Sequence, residues 1–228
     1  MTTGRFAPSP TGSLHVGNLR TALWAWCAAR HVGGRFLIRV EDLTTPNAAD
    51  HEQEQLADLR ALGLDHDGDI VRQSERTQIY DDAIRELQDA GLTYPCFCSR
   101  REIREAPAAP HGPGIEGEYP GTCAGLTAQE VRVRLEQGRA PALRLRAGQR
   151  VLSASDTVLG EISGRSDDFV LRRADGVAAY NLAVVVDDAE QGVDQVVRGD
   201  DLAETTPRHL LLQEMLGFAK PQLSLIHI

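Results

Sequence analysis

The first forty-two residues constrain the fold more than any other stretch of the chain. GRFA is a strand candidate that runs directly into a loop rich in proline and glycine, APSPTGSLHVGN, from Ala7 to Asn18. NLRTALWAWCAARHV follows with helical spacing. Leu19, Leu23, Trp26 and Arg30 fall along one ridge, and Gly33-Gly34 marks the end. RFLIRVED is then a mostly apolar run of strand length, the pattern of a strand covered on both faces in a parallel sheet. Strand, helix and strand in about forty residues make a βαβ unit, so the expected class is α/β with a parallel sheet.

The loop inside that unit has its own chemistry. A strand that ends in a glycine-containing turn before a helix offers free N–H groups and the positive end of the helix dipole to an anion. Gly12 and Gly17 allow a nucleotide close to the backbone, and Pro8 and Pro10 stiffen the approach. The spacing is neither G-x-G-x-x-G nor a Walker A loop. The plainer alternative is a proline-rich loop that happens to carry a surface histidine.

Composition bounds the rest. With 228 residues, 42% hydrophobic and 25% charged, the chain suits one large domain or two small ones. It has no apolar run of membrane-spanning length, and its start lacks the apolar core of a signal peptide. Four cysteines without an export signal fit a reducing compartment, so a cytoplasmic protein is expected, with no membrane partner. A net charge of -9 and a pI near 5.3 count against a general nucleic-acid coat. Local basic faces remain open: Arg100, Arg101 and Arg104, or Arg132, Arg134, Arg144 and Arg146. Each set reads equally well as a solvated face.

Farther along, one helix is expected through Leu56, Leu59 and Leu62, stopping at Gly63. Another runs through Ile79, Ala83 and Leu87 to Gly91. From Tyr94 to about Gly125 periodicity vanishes and a loop-rich insertion is expected. TAQE at 127–130 is a capping box for a helix ending at Gly138. ALRLRA, FVLRR and VAAYNLAVVVDD read as strands, with a turn at Ala174-Asp175-Gly176. QVVRGDDL reads as a strand entering a loop. TPRHLLLQEMLG reads as a helix with Thr206 as N-cap and Pro207 at its first position. Within the insertion, Cys96, Cys98 and Cys123 suit a structural zinc, with either His111 or Tyr119 as fourth ligand, or are simply three reduced thiols. Cys27 is expected to pack in the core.

FAPSPTGSLHVGN resembles the first signature of class I aminoacyl-tRNA synthetases in the form used by the glutamyl branch. His15-Val16-Gly17-Asn18 stands for its HIGH element, with Asn18 in place of the second histidine. The resemblance continues through RVED at 39–42, AYNLAVVVDD at 179–188, VVRGDDL at 196–202 and TPRHLLL at 206–212. It implies a Rossmann-like nucleotide-binding domain interrupted by a small zinc-containing α+β insertion. The first half would be 1–92, the insertion with its acceptor-like subdomain 93–175, and the return to the catalytic domain 176–228. It implies activation of L-glutamate by ATP with Mg²⁺, release of pyrophosphate, and transfer of the glutamyl group to a tRNA. The implied catalytic residues are His15 and Asn18, which with Pro8, Gly12 and Gly17 would hold ATP. The implied glutamate site is Arg5, Phe6, Ala7, Pro8, Ser9, Glu41, Tyr180 and Arg198. That donor set fits the substrate: guanidinium groups for two carboxylates, a carboxylate for the ammonium.

Within the branch, C-x-C followed by Y-x3-C resembles the glutamyl-Q tRNA(Asp) synthetase family. So do RRADGVAAYNLAVVVDD and the short insertion. That resemblance implies one structural zinc on Cys96, Cys98, Tyr119 and Cys123. It also implies transfer to queuosine in the anticodon of tRNA(Asp), by a monomer. Two departures stand out. After Glu41-Asp42 the family has an Asp and then a Pro-Arg, where this chain has Leu43-Thr44-Thr45-Pro46-Asn47. After LLLQEMLGFAKPQ these enzymes continue to a K-x-S-K-type loop, where this chain has LSLIHI. Those six residues are expected to be encoded by a transposon-end adaptor, making the chain a truncated piece with impaired activity. The alternatives are the N-terminal part of a glutamyl-tRNA synthetase and a non-catalytic, zinc-stabilised RNA- or amino-acid-binding module.

Overall fold

The computed structural model describes residues 1–44, 48–105 and 119–227. His111, residues 45–47 of the Leu43–Asn47 departure, Ile228 and the side chains of Arg100 and Arg104 lie outside the described residues.

The opening unit folds as its pattern dictates. Strand β1 (Thr3–Phe6), helix α1 (Val16–His31) and strand β2 (Arg35–Val40) form the start of a parallel sheet, with β1 and β2 in register from Thr3↔Arg35 to Phe6↔Ile38. Two expectations about α1 are corrected. Its buried face is Thr21, Ala22, Ala25 and Ala29; of the expected ridge Leu19 and Trp26 pack half-buried against the core, while Leu23 is exposed at 46%, as is its neighbour Trp24 at 54%. Cys27 is exposed and packs in no core. The reason is distance: a Cβ on Gly4 of β1 would sit only 3.2 Å from Ala29 Cβ, so only small residues fit where the helix crosses the strand.

Helix α2 (Ala48–Ala61), the short strand β3 (Val71–Arg72) and helix α3 (Thr77–Asp89) follow, the last ending at Gly91 with φ +70°. Leu59 is buried, but Leu62 lies beyond the end of α2 and is exposed. The middle of the chain contains β4 (Thr93–Cys96), α4 (Arg100–Glu105), α5 (Ala128–Glu136), β5 (Ala142–Leu145), β6 (Val151–Asp156), β7 (Gly160–Arg165) and β8 (Val170–Arg172). The capping box is present, with Thr127 accepting from Glu130 N. The chain then returns through α6 (Tyr180–Glu190), β9 (Gln195–Gly199), a 3-10 turn over 200–205, α7 (Thr206–Met215) and β10 (Gln222–Ile226).

Seven strands form one sheet in the order β3-β2-β1-β9-β10-β6-β7, parallel except for the β6–β7 hairpin. Three strands, β4-β5-β8, form a small antiparallel sheet. The fold is α/β and Rossmann-like. The segment 93–175 contributes β4, β5 and β8 to the small sheet and the β6–β7 hairpin to the edge of the large one.

The expectation that VAAYNLAVVVDD is a strand is wrong: it forms α6. Every residue from Leu182 to Asp188 is buried, because α6 is wedged between the sheet, α3 and α7. A helix covered on all sides shows no apolar stripe, so its β-branched run imitates a buried strand. On α7 the N-cap is Thr205, one residue before the expected Thr206.

One position tests the packing of the opening unit. A Cβ on Gly34 would lie 2.6 Å from Thr2 O and 2.9 Å from Ala29 O, both backbone atoms. Gly34→Ala is expected to lower stability by about 2 kcal/mol in urea unfolding, while Trp24→Ala leaves the midpoint unchanged.

Candidate active site and thiol cluster

The loop between β1 and α1 is held from three sides. Glu41 N donates to Pro8 O at 2.9 Å, tying the loop to the end of β2. Gln55 of α2, buried, donates through Nε2 to Ser9 O at 3.1 Å and to Gly12 O at 2.7 Å. Ser13 Oγ donates to Glu54 at 2.8 Å. Ser9 is exposed, and a Cβ at Gly12 would meet nothing within 4 Å, so the space above the loop is open.

His15 is the N-cap of α1. Its Nδ1 accepts from Gly17 N at 3.1 Å and Asn18 N at 3.4 Å, while Asn18 Oδ1 accepts from His15 N at 3.2 Å. A ring nitrogen that accepts carries no proton, so the neutral ring is the Nε2–H tautomer. His15 therefore presents an N–H donor outward, and Asn18 keeps its amide NH₂ for a second.

Beside this loop lies a buried ionic cluster. Asp188 of α6 receives Arg5 Nε at 3.3 Å and Arg39 NH1 at 2.7 Å. Arg39 also reaches Glu41 Oε1 at 3.5 Å and Asp187 Oδ2 at 3.6 Å. Asp187 in turn accepts from Gln73 at 2.8 Å, Arg76 at 2.7 Å and the Tyr80 hydroxyl at 2.9 Å. Burial raises the carboxyl of Asp188, but Arg5 and Arg39 outweigh it and hold the group below its ordinary range. At Glu41 burial wins over Arg39 and Arg5 and pushes the carboxyl up to about 7.

Arg198, on β9, is different. Its NH1 faces His209 Nδ1 at 3.1 Å and its NH2 donates to Thr206 Oγ1 at 2.6 Å. Among the described residues no carboxylate forms an ion pair with it. Its Nε is buried without a partner. Arg5, Arg198, Asp188, Thr206 and His209 line one cavity, and Tyr180, 40% exposed, stands over the His209 ring with centroids 6.0 Å apart. Four guanidinium groups, Arg5, Arg39, Arg76 and Arg198, thus share three carboxylates, Glu41, Asp187 and Asp188. The cluster has a positive excess, which is the property of an anion receptor.

The sulfur atoms of Cys96, Cys98 and Cys123 lie within 4.8 Å of one another, at the edge of the small sheet. Cys98 Sγ and Cys123 Sγ are 3.5 Å apart, and the Tyr119 hydroxyl is 3.3 Å from Cys96 Sγ and 3.7 Å from Cys98 Sγ. A tetrahedral ion with metal–sulfur bonds of about 2.3 Å needs ligand separations of about 3.5–3.8 Å, and the contacts of 3.3, 3.5 and 3.7 Å are close to that size. Burial pushes the Cys98 thiol up to about 11, and it also raises the Tyr119 phenol. Cys123 N donates to the phenol oxygen at 2.8 Å, and the buried Arg144 guanidinium lies 3.7 Å from the ring centroid. Both favour a negative phenolic oxygen. Arg144 is therefore turned inward, and Arg146 covers the Tyr94 ring at 4.7 Å. The set Arg132–Arg146 is not one solvated face.

A family model for the catalytic domain of class I tRNA synthetases of the E and Q type matches residues 1–228. The chain belongs to this synthetase family. Among curated relatives, a glutamyl-Q tRNA(Asp) synthetase of Nocardia farcinica is 58% identical over 96% of this chain and 69% of its own length. Its counterpart from Cutibacterium acnes is 53% identical over 96% of this chain and 62% of its own. A glutamate–tRNA ligase of Halorhodospira halophila is 46% identical over 96% of the chain and 48% of its own. A crystal structure of a glutamate tRNA ligase from Elizabethkingia meningosepticum in complex with its amino acid superposes with a TM-score of 0.85. It has 28% identity and covers 100% of this chain and 49% of the ligase. The chain thus spans about two thirds of its glutamyl-Q relatives and about half of the ligases.

Of the residues expected from the sequence, Arg5 and Arg198 line one cavity, Tyr180 lies close enough to Glu41, Arg198 and Arg5 to feel their charges, and His15 and Asn18 cap one helix end. Phe6 is buried in the core beside α1 and does not line the cavity. Gln55, Asp188, Thr206 and His209 were not singled out from the sequence as site residues. Helix spacing could have flagged Thr206 and His209, three residues apart on α7.

The capping role of His15 separates stability from binding. His15→Ala is expected to cost about 1 kcal/mol in chemical unfolding, and His15→Asn, which retains a capping oxygen, to cost only a fraction of that.

Proposed function

We propose that this synthetase domain binds L-glutamate and ATP and forms glutamyl-adenylate, and that the complete protein transfers the glutamyl group to queuosine in tRNA(Asp). The positive excess of the pocket, concentrated on the carboxylate-free Arg198, carries this reading. L-Glutamate brings two carboxylates and one ammonium. Arg5 and Arg198 offer bidentate donors for the former and Glu41 a counter-charge for the latter, with Ser9 and Tyr180 at the rim. The substrate's net charge of about -1 balances the cluster's excess. ATP, carried with Mg²⁺, would lie along Pro8, Gly12 and Gly17. The Nε2–H of His15 and the amide of Asn18 would meet the α-phosphate as charge builds on it, donors already oriented before the reaction. The tRNA(Asp) assignment is supported by the names of the glutamyl-Q relatives. The glutamate–tRNA ligase relative supports a second reading, transfer to the 3′ end of tRNA(Glu).

The complete gene product is expected to catalyse glutamate-dependent ATP–pyrophosphate exchange without tRNA, and to label queuosine-containing tRNA(Asp). Labelling of tRNA(Glu) alone would favour the second reading, and absence of exchange would defeat both. Since Glu41 holds its proton below about pH 7, the ammonium loses its counter-charge there. Thus kcat/KM for glutamate should fall as pH drops through about 7, a fall that Glu41→Gln abolishes along with most activity.

Cys96, Cys98, Tyr119 and Cys123 are proposed as the ligands of one structural zinc. Metal analysis should find one zinc per chain, lost in Cys123→Ser and held more weakly in Tyr119→Phe. Chelation should lower the thermal midpoint.

A further inference from the structure

Three arginines of the buried cluster are held by two different means. Arg5 and Arg39 are aimed by carboxylates, sharing Asp188, which offsets part of their charge. Arg198 is fixed by a ring nitrogen and a hydroxyl, both from α7, where Thr206 and His209 stand three residues apart and so on one face. A guanidinium has donors only, so His209 Nδ1 must be the acceptor in that 3.1 Å contact. The ring proton then lies on Nε2, 3.0 Å from Oδ1 of Asn181, the second residue of α6. Burial and the adjacent Arg198 push the ring's proton affinity down to about 3, with Arg5 and Arg208 acting in the same direction and Asp188 against it. His209 is buried and stays neutral at every working pH.

We infer that His209 is a positioning residue of the amino-acid pocket: it aims the Arg198 guanidinium without neutralising it. The inference rests on the reading of this pocket as the glutamate site. The requirement is narrow. A carboxylate at 209 would hold Arg198 as well but would occupy its charge, removing the excess that receives the substrate. An aliphatic side chain would leave the charge but strand a buried N–H donor and free the guanidinium to turn. A neutral acceptor satisfies both demands, and Asn181 fixes which ring nitrogen supplies it.

Three variants of the complete gene product test this, read by the KM for glutamate and for ATP in pyrophosphate exchange. Asparagine places Oδ1 where histidine has Nδ1, so His209→Asn should keep the glutamate KM within about threefold of wild type. His209→Leu should raise it by about tenfold. His209→Asp, the same size as asparagine but charged, should raise it by about a hundredfold or more. The ATP KM should stay level throughout, a separation that general loss of structure does not produce. If the leucine variant fails to fold, the Asn–Asp pair decides alone. A glutamate KM for His209→Asp equal to that of His209→Asn, or parallel losses for both substrates in all variants, overturns the inference and leaves the glutamate reading intact. A wild-type protein without glutamate-dependent exchange overturns the reading itself and the inference with it.

Discussion

Asp188 is the pivot of the molecule. It lies at the middle of the chain's packing, nearly buried, and takes one guanidinium from β1 and another from β2. Removing three charged groups from water costs several kcal/mol each, and only close pairing and hydrogen bonding offset it. That pairing fixes α6 against the first two strands. Asp187, its neighbour, shares Arg39 with it and gathers Gln73 and Arg76, which lead into α3, and Tyr80 of α3 itself. Two adjacent carboxylates on one helix thereby join the opening βαβ unit, the helix that follows it and the returning half of the chain. Losing either would strand buried cations, which is costlier than losing an apolar contact.

The same arrangement creates the pocket. Charges that serve the fold are matched in pairs, and what remains unmatched faces the cavity. Glu41 is pushed toward protonation and Arg198 is left without a carboxylate, the two departures from pairing in the cluster. Structure and ligand reception are divided among the arginines by the nature of their partners.

Much of this was legible in the sequence, for physical reasons. The βαβ unit announced itself because β2 is apolar on both faces, and the capping box at Thr127 because its chemistry is local. The loop from Ala7 to Asn18 was recognisable through its motif. What escaped depended on neighbours distant in sequence. The face of α1 is chosen by Gly4 and Ala29 meeting at close range, not by the larger residues Leu23 and Trp24. Residue type alone puts Cys27 in the core, yet it lies on the exposed side of the helix. The stretch Leu182–Asp188 hid its helix because it is covered from every direction. Gln55 carries no motif, and its value appears only when α2 is folded over the loop.

The His15 cap joins two matters usually kept apart. The ring is oriented by the two amide N–H groups at the start of α1, so its outward Nε2–H is aimed by helix formation itself. The rotational freedom such a donor would otherwise surrender on meeting an anion has already been spent in folding. Conversely, an anion that draws on Nε2 polarises the ring and strengthens Nδ1 as an acceptor, tightening the first helical turn. On the reading of this loop as an anion site, the end of α1 would couple a local helix–coil equilibrium to ligand occupancy, each reporting on the other.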